Sequence, residues 1–148
     1  MSGRSTSRSV FSLREIIVDK KVRNILYGFL AWFIPFASAF LFYTSEGKLR
    51  IDIFLFKSIM IVVGSISAAI LLVSYFKKIN GNYLIEGVSL GFTWLVISLG
   101  LDLLVLVPMS GMSVPEYFGQ IGLRYVVIPV FCITIGIVLK NNGQINDS

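Results

Sequence analysis

Three ionisable residues stand within long apolar stretches of this chain, Lys57, Asp102 and Arg124. A charge at the centre of a bilayer costs about 2.5–3.5 kcal/mol on insertion scales, so each needs a partner or a task. Asp102 is the sharpest case, five residues before Val107 and so roughly 8 Å along a helix from that end. At 100° per residue, Gly87, Gly91, Ser98 and Asp102 fall within about 60° of one another. Small residues at such spacing let two helix backbones approach closely, so this face should meet another helix and not lipid. Tyr117, Gln120 and Arg124 share a second face at i, i+3 and i+7, and Lys57 shares a third with Gly64 and Ala68.

Two chemistries suit this set. In the first, Asp102 and Arg124 form an ion pair that locks their helices together, while Lys57 reaches up to the membrane surface. In the second, Lys57, Asp102 and Arg124, with Gln120 and Tyr117, form a polar site for a small solute, an ion or a proton. The first is favoured, because a short hairpin brings its own charges together. Glu86 reads as an interfacial charge beside Lys77 and Lys78. Trp32, Trp94 and the tyrosines read as packing or interface residues.

Other chemistries lack their residues. The chain has no histidine and a single cysteine, Cys132, set among apolar neighbours. Zinc sites, Cys/His pairs and Ser/His/Asp triads are thereby removed, and no catalytic residue, cofactor or metal ligand is assigned. The aromatics lie inside the apolar runs and not between exposed basic residues, which argues against nucleic acid as a partner.

The elements that must position these residues follow from composition. Of 148 residues, 55% are hydrophobic and 14% charged, against about a quarter charged in soluble domains. The fold expected is all-α and polytopic: four transmembrane helices in two hairpins, with the bilayer as solvent and an optional short amphipathic helix at the N-terminus. Residues 1–24 form a basic segment, 25–140 the membrane domain and 141–148 a polar tail.

Within the first segment, Met1 to Ser9 look disordered, and Ser12 with Glu15 fits a capping box for the amphipathic helix. A water-exposed extension of the first span fits the same pattern. That span is expected over about Ile25–Tyr43 with Pro35 inside it, and the second over Ile53–Phe76. The third should run from Tyr83 to about Val107, ended by Pro108 and Gly111. A fourth helix, capped by Ser113 with Pro115 and Glu116 in its first turn, should continue through Arg124 and Pro129 to about Leu139. Lys140-Asn141-Asn142-Gly143 should stop it.

Basic residues decide orientation. With the N-terminus inside, the inner segments hold nine (Arg4, Arg8, Arg14, Lys20, Lys21, Arg23, Lys77, Lys78, Lys140) and the outer ones four (Lys48, Arg50, Lys57, Arg124). Both termini are therefore expected in the cytoplasm, the membrane being the plasma membrane. The basic N-terminal segment also suits anionic headgroups.

From Phe56-Lys57-Ser58 through Tyr83, Glu86-Gly87, Trp94, Leu101-Asp102-Leu103 and Pro108-Met109 to Tyr117-Phe118, Ile121 to Tyr125 and Ile128-Pro129, the chain resembles small four-span prokaryotic membrane proteins. That resemblance covers about the C-terminal two thirds and implies no activity. The reading is a non-catalytic multi-pass protein, an accessory or oligomeric structural component, with the lipid bilayer and its own copies as the expected partners. The alternative is a minimal oligomeric transporter or channel.

Overall fold

In the computed structural model, residues 3–146 are described, with side chains described for Ile16 and for residues 18–142. The chain is all-α: α1 (Gly3–Ala39), α2 (Ile53–Phe76), α3 (Tyr83–Leu101), α4 (Val107–Ser110), α5 (Val114–Gln120) and α6 (Val127–Asn146). Four segments are long and apolar enough to cross a membrane, Val18–Phe42, Ile53–Phe76, Tyr83–Ser110 and Gly122–Asn142. No more than 28% of the apolar window of any span is buried. Side chains such as Ile61, Val96 and Phe131 therefore face outward, which is stable only where lipid or another apolar surface covers them.

Local signals account for most boundaries. Asp52 caps α2, its carboxylate accepting from the Phe54 and Leu55 amides at 2.9 and 3.2 Å. Asn82, in the left-handed region at φ 47°, turns the chain from α2 into α3 after Gly81. At the N-terminus, α1 runs unbroken through Ser12, so this serine caps no separate helix. Of the stretch expected to be disordered, Gly3 to Ser9 belong to α1, while Met1 and Ser2 lie outside the described residues. Thirty-seven residues of helix reach about 55 Å, well beyond the roughly 30 Å hydrocarbon layer, so the basic part of α1 extends past the membrane. At the other end α6 continues past Lys140 and Asn141 to Asn146, further than the turn residues there suggested.

Two departures from regular helix matter for function. After Leu101 the backbone opens into a π turn over Asp102–Leu106, closed by the Val107 amide on the Asp102 carbonyl. Pro108 follows directly. A proline cannot donate to the carbonyl four residues back and its ring clashes with it; the wider turn relieves this, and the helix survives to Ser110 before Gly111, at φ 68°, ends it. The second departure corrects the expected continuous fourth helix. The chain breaks at Ile121 (φ −129°, ψ −53°), tightens into a 3₁₀ turn over Gly122–Val126, and only then enters α6. Pro129 sits in the first turn of α6, where a missing amide proton costs nothing.

The principal contacts run α2 to α1, α1 to α3 and α3 to α6. The core gathers Leu72, Tyr75, Phe76, Ile79, Leu90, Trp94 and Cys132. Between α3 and α6 the backbones touch: a Cβ on Gly87 would lie 2.5 Å from the Cys132 carbonyl oxygen, and one on Gly91 2.6 Å from the Pro129 Cα. Ser98 is buried on the same face. Gly64 and Ala68 behave otherwise. A Cβ on Gly64 would meet nothing within 4 Å, and Ala68 is only half-buried. Between α1 and α2 the Tyr27 ring lies edge-on to Tyr75 at 6.0 Å between centroids.

Candidate functional site

Asp102 lies at the first position of the π turn and is 2% exposed. Three donors converge on its carboxylate. The Trp32 indole nitrogen of α1 donates to Oδ1 at 2.6 Å; the Tyr117 hydroxyl of α5 and the Tyr125 hydroxyl of the 3₁₀ turn donate to Oδ2 at 2.9 and 2.8 Å. All three are neutral, and no Lys or Arg nitrogen pairs with the acid among the described residues. One carboxylate thus ties α1, the end of α3, α5 and the start of the fourth span. Tyr117 is itself fully buried. Burial and the neighbouring Asp102 carboxylate both push its phenol above the usual range, keeping it a donor.

The expected Asp102–Arg124 ion pair does not form. Arg124 is exposed and its side chain has no hydrogen bond or ion pair among the described residues. The face assignment assumed 100° per residue through the whole fourth helix, but the break at Ile121 and the tighter turn after it change the phase. Tyr125 takes the position facing Asp102, and Arg124 turns out. Gly122 makes room for this arrangement, because a Cβ there would lie 2.8 Å from Phe118 Cδ1 and 3.2 Å from the Tyr117 ring.

Lys57 and Gln120 form a second, smaller group. The Lys57 ammonium donates to Gln120 Oε1 at 3.1 Å, and Gln120 Nε2 donates to Glu116 Oε1 at 2.9 Å. Glu116 therefore spends its carboxylate on Gln120, and Ser113, at the N-cap, makes no side-chain capping bond. Seven-residue α5 is held on two sides, by Tyr117 on Asp102 and by Gln120 on Lys57 of α2. Of the five residues expected in one cluster, Asp102 and Tyr117 meet, Lys57 and Gln120 meet, and Arg124 joins neither.

Trp32 and Tyr125 were missed by the sequence reading. For Trp32 one signal existed, an indole N–H inside an apolar run, which needs an acceptor when buried. Trp94 shows the same need and crosses the same seam in the opposite direction, donating to the Asn24 carbonyl at 3.2 Å. Its ring also fills the space beside Gly28.

Comparisons with family models, curated proteins and solved structures give no match to this chain. Function must therefore be argued from the site alone, and the resemblance to small four-span proteins gains no support.

What the site can do is limited by its saturation. Asp102 accepts three hydrogen bonds of the roughly four its oxygens can take, and it has almost no surface. Among the described residues no three His, Cys, Asp or Glu side chains group together, and Cys132 is a buried thiol. The arrangement holds helices. At the opposite end Glu86 accepts from the Lys20 ammonium and the Tyr75 hydroxyl, both at 3.1 Å, whereas Lys77 and Lys78, expected beside it, are exposed and make no ion pair among the described residues.

Proposed function

We propose that this chain is a non-catalytic component of its membrane, an accessory or structural protein that acts through the apolar surface its four spans present to their surroundings. The observation that carries this reading is the closed state of Asp102: its oxygens are occupied by donors from three separate elements, and it is almost without surface. A transported ion or proton needs an open position and a route to it. A fastener needs neither.

The second reading, a minimal oligomeric transporter or channel, draws on the π turn and the broken fourth span, which both lie at Asp102. Irregular helices often mark functional sites, in transporters among others. Flux measurements on the purified protein in liposomes separate the two. Proton, sodium and potassium flux should equal that of empty liposomes. A saturable flux that vanishes in a folded Asp102→Asn variant would replace the structural reading with the transport one.

We also propose that both termini face the cytoplasm across the plasma membrane, on the nine-to-four division of basic residues. Because Cys132 is buried, single cysteines can be introduced without changing the background. In intact cells an impermeant thiol reagent should label Ser110→Cys and spare Asn80→Cys. The reverse pattern would invert the orientation.

A further inference from the structure

Two helices form the edges of the molecule, α2 resting mainly on α1 and α6 mainly on α3. Both begin at the end that holds Asp102, where Lys57 of α2 reaches Gln120 and Tyr125, just before α6, reaches the acid. They therefore run in the same direction. Each turns a row of exposed residues away from its neighbour: Ser58, Ser65 and Ala69 on α2, and Val130 and Ile137 on α6. Counted from Asp52 at about 1.5 Å per residue, Ser58 and Ser65 stand about 9 and 20 Å along α2. Counted from Arg124, with about 2.0 Å per residue through the 3₁₀ turn, Val130 and Ile137 stand about 10 and 21 Å along the fourth span. Small side chains on one edge are thus level with large ones on the other. The outward row of α1 differs, carrying Phe29, Phe33 and Phe40.

The charges at the heads of the two edges are complementary as well. Asp52 is exposed, and its Oδ1 accepts from two amides of α2, but it has no ion pair among the described residues. Arg124 is exposed and has none either. Of the other charges at this end, Glu46 pairs with Lys48 at 3.4 Å, and Lys57 and Glu116 are both bonded to Gln120. Arg50 is exposed, two residues before Asp52, and makes no ion pair among the described residues.

We propose that copies of this chain assemble side by side, the α2 edge of one against the α6 edge of the next, with Arg124 paired to Asp52 of the neighbouring copy. The inference rests on the reading of the chain as a structural component and names its own copy as the partner. Within lipid, apolar area alone does not drive helices together, so close packing and polar contacts decide which faces meet. Small residues on α2 let the larger ones of α6 approach, and the guanidinium fork fixes the register at the head of both helices. Because the two edges are different surfaces, each copy keeps one edge free until a ring closes.

The test is oxidative cross-linking in membranes that contain two differently tagged variants of the whole chain, Ser58→Cys and Val130→Cys. Cys132 is buried and can stay in place. Together the variants should form a mixed disulfide dimer, and neither should form one alone. Leu26→Cys, 54% exposed on α1, should give only background with either. Asp52→Asn removes one charge but keeps an equally good helix cap, and Arg124→Gln removes the other. Each should lower the mixed yield about threefold, the worth of an exposed ion pair, and the two together should lower it no further. No mixed dimer, or Ser58→Cys joined to itself at the same yield, would overturn the arrangement. Losses that multiply in the double variant, or no loss in either single one, would overturn the Arg124–Asp52 pair. Flux in liposomes tests the structural reading separately, so a missing cross-link strikes the assembly alone.

Discussion

Replacing Asp102 with leucine is expected to cause the largest loss of stability of any single change at a polar residue in this chain, roughly 2–5 kcal/mol. The substitution strands the Trp32 indole N–H and the Tyr117 and Tyr125 hydroxyls at once. Each orphaned donor costs about 1–3 kcal/mol in soluble proteins, and polar contacts inside membranes average nearer 0.6 kcal/mol. Asp102→Asn should lose less, because the amide oxygen can still accept from Trp32, while its NH₂ group can donate to tyrosine hydroxyls, which accept as well as donate. Trp32→Phe should fall between wild type and Asp102→Leu. Arg124→Gln should stay within about 0.5 kcal/mol of wild type, since the residue is exposed and unpartnered. Thermal unfolding of the detergent-solubilised protein measures all four. A loss for Arg124→Gln as large as that for Asp102→Leu would restore the ion pair that the structure lacks.

The second large effect belongs to the glycines between α3 and α6. Gly87→Ala and Gly91→Ala each force a methyl group to within 2.5–2.6 Å of backbone atoms of the opposing helix. Backbone cannot rotate aside as a flexible side chain can, so the helices must separate. The separation opens a gap along the tightest seam in the molecule. Overpacking of this kind costs about 1–3 kcal/mol, and leucine at either site should prevent stable folding. Gly64→Ala is the matched control. Its new methyl group meets nothing within 4 Å, and alanine is the better helix former, so stability should hold or rise slightly. Comparable losses at Gly64 and Gly91 would mean that α3 and α6 do not pack through these glycines.

The sequence carried the spans well because their signals are local. The apolar runs expected over Ile53–Phe76 and from Tyr83 match α2 and the start of α3. The stripe of Gly87, Gly91, Ser98 and Asp102 identified a buried face correctly, since α3 is regular from Tyr83 to Leu101. Beyond that, helical arithmetic failed for a physical reason. A π turn and a 3₁₀ turn each shift the phase of every later residue, and Ile121 breaks the fourth helix outright, so Arg124 was assigned to a face that Tyr125 occupies. Pro129 was the available clue, because a proline at that position suits the first turn of a new helix better than the middle of a long one. The Trp32 indole signalled a need for an acceptor, but no local rule could name Asp102, seventy residues away, as that acceptor. Nor could spacing alone show that Gly64, on an apparently equivalent stripe, has no neighbour within reach of a Cβ.

The convergence of Trp32, Tyr117 and Tyr125 on one acid also sets an order of events during synthesis. Asp102 leaves the ribosome after its α1 donor and before its two tyrosines. While the third span is being inserted, the acid has a single indole to meet it. Completion of the site therefore waits on the last third of the chain: Trp32 can join the first span to the third early, but the two tyrosine bonds form only once α5 and the 3₁₀ turn have been delivered. A ribosome stalled between Asp102 and Tyr117 would leave the acid short of two of its three donors, and that is the form a membrane quality-control protease would be best placed to recognise.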